Sequence, residues 1–72
     1  MRKKITIKIG KKIAQARKNL ALSQTDLSNL MGIHQVEISR YENDKALPML
    51  DTFVRLCISL KVSADYFLFK LF

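Results

Sequence analysis

A single glycine, Gly32, stands between two short stretches whose apolar residues recur at helical spacing. Upstream, SQTDLSNLM places a serine three residues before Asp26. Each of those side chains can bond an orphan amide of a first helical turn, and the carboxylate suits the positive end of the helix. Leu27, Leu30 and Met31 form the predicted buried stripe of this helix, which is about two turns long. Gly32 ends it by taking the left-handed conformation that other residues resist. Downstream, IHQVEISRYE restarts the helical pattern almost at once. Ile38 and Tyr41, spaced i, i+3, point inward, and Gln35, Val36, Ser39 and Arg40 remain largely outside. A helix, a tight glycine turn and a second helix at a steep angle make a rigid projecting corner.

The flanks are also helical. Residues 5–9, ITIKI, alternate in a strand-like way over a short reach. From Ile9 onward Ile13, Ala16 and Leu20 fall on one face and Lys11, Lys12 and Lys18 mostly on the other, so a first helix begins near Ile7 to Ile9. Pro48 closes a polar loop, NDKALP. Leu50, Phe53, Val54, Cys57 and Leu60 give a fourth helix its apolar face, and Ser63 opens a fifth with Asp65 in its first turn. The expectation is an all-α domain of five short helices.

Composition bounds the function. Seventy-two residues make one small domain with a modest core. The net charge of +7 makes polyanions natural partners. That charge belongs to the N-terminal quarter: residues 1–20 hold eight basic side chains and no acid. Arg2, Lys3 and Lys4 among them make residues 1–7 a basic arm that either stays solvated or meets a phosphate backbone. The one cysteine, Cys57, excludes an intramolecular disulfide and a four-cysteine zinc site and suits a reducing, cytoplasmic setting. On the apolar stripe with Phe53 and Leu60 it reads as a small core hydrophobe. No run reaches the roughly 18 apolar residues of a membrane-spanning helix. Asp26, Asp51 and Asp65 each sit in a first helical turn, where carboxylates stabilise the dipole, and no triad or phosphate loop is visible. No enzyme, metal site, cofactor or small-molecule ligand is expected.

Taken in order, IGKKIAQARK, LSQ, MGI, ISRYEN and VSADYF resemble the lambda-repressor/Cro-like helix-turn-helix family (the xenobiotic-response-element type) from about Ile9 to Phe69. The resemblance implies a compact five-helix DNA-binding domain over residues 8–72, with the third helix entering the major groove of double-stranded DNA. By the same resemblance Gln35 pairs with adenine, Val36 meets a thymine methyl, and Arg40 forks onto guanine. Asn43 and Lys45 match loop positions that hold the DNA backbone, and Gln24 is suited to touch a phosphate and to brace Gln35. His34, standing where related proteins have a helix cap, and Ser39 are expected to add backbone contacts. Arg17 and Glu42 align with a pair that forms an internal salt bridge in some members, and Gly32 is the turn glycine. Three positions depart from the family pattern: Asp44 and Lys61 stand where glycine is usual, and Met49 replaces a polar helix cap. Glu37 either accepts from a cytosine amine or faces sideways and excludes wrong sites.

The C-terminal YFLFKLF carries more bulky apolar residues than so small a domain readily buries. Phe67, Phe69, Leu71 and Phe72 are therefore expected to pair two copies, presenting two reading helices to a palindromic operator. The implied function is a bacterial- or phage-type, nucleoid-associated transcriptional regulator, a repressor in the main reading. The alternative is the antitoxin of a toxin–antitoxin pair, which binds DNA and a partner toxin with the same fold.

Overall fold

The computed structural model describes residues 7–68. Within them lie five α-helices and no strand: α1 Gly10–Asn19, α2 Gln24–Met31, α3 Gln35–Glu42, α4 Leu50–Leu60 and α5 Ala64–Leu68. The first helix begins at Gly10, later than its apolar spacing suggests, because Ile9 already serves as its N-cap residue in a non-helical conformation. Residues 7–9 carry no strand, and residues 1–6 of the basic arm lie outside the described residues. Arg17 and Lys18 occupy the last turn of α1, where cations suit the negative helix end.

The start of α2 is a complete capping box. The Asp26 amide donates to Ser23 Oγ at 2.9 Å, and the Ser23 amide donates to Asp26 Oδ2 at 2.8 Å. The bond from the Ser23 amide, with the Ser23 hydroxyl beside it, holds the Asp26 carboxyl below its ordinary range. At the other end Gly32 adopts φ +68° with open space where a Cβ would be. Backbone conformation alone therefore selects glycine at this turn. At the end of α4, Lys61 takes the same left-handed conformation at φ +59° without being glycine. The backbone amides of Lys61 and Val62 close that helix on the Ile58 and Cys57 carbonyls.

Helix α3 is gripped by α1 and α2; α4 packs on α2, and α5 on α1. The core comprises Ile9, Ile13, Ala16, Leu27, Met31, Ile38, Leu56, Leu60 and Phe67. Phe67 is fully buried, edge-on to Phe53 and Tyr66 with ring centroids 5.5 and 5.2 Å away. It is a core residue and not a contact between copies, because α5 is folded back on α1 with its aromatic side chain inward. Phe69, Leu71 and Phe72, expected with it at a dimer contact, lie outside the described residues.

Three apolar residues expected inside are outside. Leu30 is exposed and Ser28 is buried in its stead, its hydroxyl donating to the Thr25 carbonyl at 2.8 Å. On α4 the inward side is Phe53, Leu56, Cys57 and Leu60, while Leu50 and Val54 face water. Both sets follow helical spacing, so periodicity cannot choose between them; docking on α2 does. Burial raises the pKa of the Cys57 thiol, as expected for a packed, unreactive side chain.

Leu56→Ala, at a fully buried position, is expected to cost about 2–5 kcal/mol. Leu30→Ala, at an exposed one, should stay within about 0.5 kcal/mol of the parent. Urea denaturation of the two variants measures both; equal losses would contradict this packing.

Candidate nucleic-acid interface

Four side chains from three helices and their flanks form a continuous chain of hydrogen bonds behind α3. Arg17 in α1 grips Glu42, the last residue of α3, with two parallel bonds: Nε to Oε2 at 2.7 Å and Nη2 to Oε1 at 2.9 Å. Its remaining arm donates to the Leu22 carbonyl at 2.8 Å. Gln24, opening α2, donates its amide to Glu42 Oε1 at 3.1 Å and accepts from Gln35 Nε2 at the start of α3. The two charged side chains are only 11% and 6% exposed. Glu42 raises the Arg17 pKa mainly through that hydrogen bond, against the opposing effect of burial. Both ends of α3 are thus tied to one ion pair, and Arg17 supports the helix instead of facing solvent.

A second tie fixes the C-terminal end of α3. Gly10 lies so close to it that a methyl group there would overlap the Glu42 and Tyr41 carbonyl oxygens. The Gly10 amide donates to Asp44 Oδ1 at 3.0 Å. Ile9 provides no side-chain cap for α1, so the Asp44 carboxylate supplies it from across the fold. Asp44 sits at φ +56°, in the left-handed region that glycine ordinarily fills, and it adds a contact that glycine lacks.

With its inner side anchored by buried Ile38 and half-buried Tyr41, α3 turns Gln35, Val36 and Arg40 outward. Val36 is 62% exposed, so its methyl groups are open to whatever meets the outer face of α3. His34 is the exposed N-cap residue of α3 and makes no side-chain cap bond. Asn43 bends back, its Nδ2 donating to the Ser39 carbonyl at 2.8 Å and reaching Ser39 Oγ at 3.3 Å. Ser39 is half-buried and Lys45 exposed. Glu37 faces sideways: Tyr41 Oη donates to its Oε2 at 3.4 Å, beside Arg40 and the loop residues Ala46 and Leu47. Burial, aided by the Glu37 charge, raises the Tyr41 pKa and keeps the phenol a donor. Among the described residues no group of His, Cys, Asp and Glu side chains could hold a metal ion.

The arrangement has known counterparts. A family model described as helix-turn-helix matches residues 13–67. The crystal structure of the P22 c2 repressor protein, in complex with a synthetic operator in the presence of Tl+, superposes with a TM-score of 0.78 at 31% identity. The match covers 86% of this chain and 94% of that one. The chain belongs to the lambda-repressor/Cro-like helix-turn-helix family. No curated protein matches it. In family terms α2 and α3 are the helix-turn-helix pair, with Gly32 at the turn. Gly10 and Asp44 are the residues that sequence reading did not connect. Asp44 was visible only as a departure from the usual glycine, and the purpose of Gly10 depends on carbonyls distant in the chain.

Asp44→Ala removes the cap and keeps the unfavourable backbone, so it should cost about 1–2 kcal/mol. Asp44→Asn retains an acceptor oxygen and tolerates the left-handed region, and should stay within about 0.5 kcal/mol of the parent. Thermal denaturation compares them. An Asp44→Ala protein as stable as the parent would remove this cap from the account.

Proposed function

We propose that this chain is a sequence-specific DNA-binding transcriptional regulator that inserts α3 into the major groove. The observation that carries the reading is the outward face of α3: Gln35, Val36 and Arg40 exposed on a helix whose inner side and both ends are anchored. An α-helix fits the major groove, where each base pair presents its own pattern of donors, acceptors and methyl groups. Gln35 offers an amide for bidentate pairing with adenine, Val36 offers methyl groups to thymine, and Arg40 offers a guanidinium fork to guanine. Gln24 holds Gln35 by its amide, which limits the rotamers from which it must select on binding. His34, Ser39, Asn43 and Lys45 lie around the same helix and provide phosphate contacts that fix register, as does Gln24. Glu37, turned toward Tyr41, stays beside the reading face and acts against wrong sites through its charge.

The family relative bound to a synthetic operator supports the DNA-binding reading, and its name supports repression. In this reading two copies bind a palindromic operator, with their α3 helices one helical turn of DNA apart, roughly 34 Å. Residues 8–72 form the DNA-binding domain, and the basic arm of residues 1–7 lies ahead of it. The setting is the cytoplasm; among the described residues no helix is long and apolar enough to cross a membrane.

Selection from random duplexes at two salt concentrations tests the reading. The parent chain should enrich one sequence at both. Gln35→Ala and Arg40→Ala should each lose about 1–3 kcal/mol of discrimination at one base position while keeping weak, salt-sensitive binding. Unchanged selectivity in both variants would contradict the base contacts, and no duplex binding at low salt would contradict DNA binding itself.

A further inference from the structure

Glu37 is the acidic side chain in the first turn of α3, at the edge of the face that carries Val36 and Arg40. The positive end of the helix suits a carboxylate, but DNA phosphates oppose one. In a duplex complex a half-buried carboxylate is costly unless the groove offers it a donor. Inside the fold it is held only loosely. The Tyr41 hydroxyl reaches Oε2 at 3.4 Å, long for a bond between oxygens, and Oε1 has no partner among the described residues. Arg40, one turn along the same helix, makes no ion pair with it; among the described residues the ion pair is Arg17 with Glu42. Glu37 and Arg40 instead border one open recess of about 240 Å³ between α3 and the loop residues Ala46, Leu47 and Met49. An acceptor and a fork of donors thus stand side by side, and neither neutralises the other.

The chemistry of these two side chains narrows the bases that fit them. At the major-groove edge guanine presents acceptors, thymine an acceptor and a methyl group, and adenine a donor beside an acceptor. Cytosine alone presents a donor without an acceptor, its 4-amino group. An ionised carboxylate has no proton to give, so cytosine is the base it meets without repulsion. Arg40 has the converse requirement, which guanine meets. We propose that Glu37 is a specificity-determining residue that demands cytosine within one base pair of the guanine met by Arg40. The proposal rests on the DNA-binding reading above and identifies the sites that the Glu37 charge admits.

Selection from random duplexes with Glu37 variants of the full chain tests it, with far-UV helicity as the control for folding. The parent should enrich cytosine within one base pair of the guanine whose enrichment is lost in Arg40→Ala. Glu37→Gln, whose amide both donates and accepts, should move that preference from cytosine to adenine. Glu37→Ala should lose the preference and bind unrelated duplex roughly threefold more tightly at low salt, because a charge facing phosphates is gone. Replacing the cytosine 4-amino group by hydrogen removes one base-pair bond for either protein. Beyond that shared loss it should weaken the parent roughly tenfold and leave Glu37→Ala unaffected. A role confined to supporting the helix predicts neither the switch of base nor the dependence on one amino group. Unchanged base preference in both Glu37 variants overturns the proposal, as does an equal loss for both proteins when the amino group is removed. Selection that responds to Gln35→Ala and Arg40→Ala but not to Glu37 variants confines the failure to this residue. A parent that binds no duplex overturns the DNA reading and this inference with it.

Discussion

The ion pair between Arg17 and Glu42 is the constraint on which the rest of the architecture depends. Removing two charges from water is costly, and their attraction offsets that cost only where the remaining donors and acceptors are satisfied. Here they are. Arg17 gives two bonds to Glu42 and one to the Leu22 carbonyl, and Glu42 accepts a further bond from Gln24. The pair therefore sets where the end of α3 lies relative to α1, and through Gln24 where α2 lies relative to both. A hydrophobic contact holds helices together without fixing their rotation; this network fixes it. Gly10 against the α3 carbonyls and Asp44 on the Gly10 amide close the same junction from the other side.

Much of this was legible in the sequence where the cause is local. The Ser23/Asp26 capping box needs only residues three apart, and Gly32 needs only its own φ. The Arg17–Glu42 pair entered through the family resemblance, since nothing in the spacing of those two residues implies contact. The orientation of α4 was hidden for a physical reason: Leu50, Val54 and Ile58 repeat at helical spacing as faithfully as Phe53, Leu56 and Leu60. When a helix is apolar on two sides, only its neighbour decides which side is core. Phe67 was misassigned for a related reason: it stands in an aromatic run, and composition alone does not say which of its members turns inward. The role of Asp44 depends on an amide in another helix, which no local pattern reveals.

The structure also separates two uses of polar residues on one short helix. Glu42 and Tyr41 face the body of the domain, where their bonds are internal. Gln35, Val36 and Arg40 face outward, and of these only Gln35 has a bond from within the fold. Its partner, Gln24, connects the reading face to the buried ion pair in two steps. A glutamine held this way loses less freedom on meeting a base than one free in solvent, which favours discrimination over mere adhesion. Glu37 takes an intermediate position, half-buried against Tyr41, so its charge borders the reading face without projecting from it.

The central claim is that the relay from Glu42 through Gln24 orients Gln35 for reading. A double-mutant cycle on operator affinity with Gln24→Ala and Gln35→Ala measures it most directly. If Gln24 acts through Gln35, each single change lowers affinity and the second adds little to the first, giving a coupling of about 0.5–3 kcal/mol. Losses that add to within about 0.5 kcal/mol would mean that the two residues act independently and that the relay does not position the reading helix.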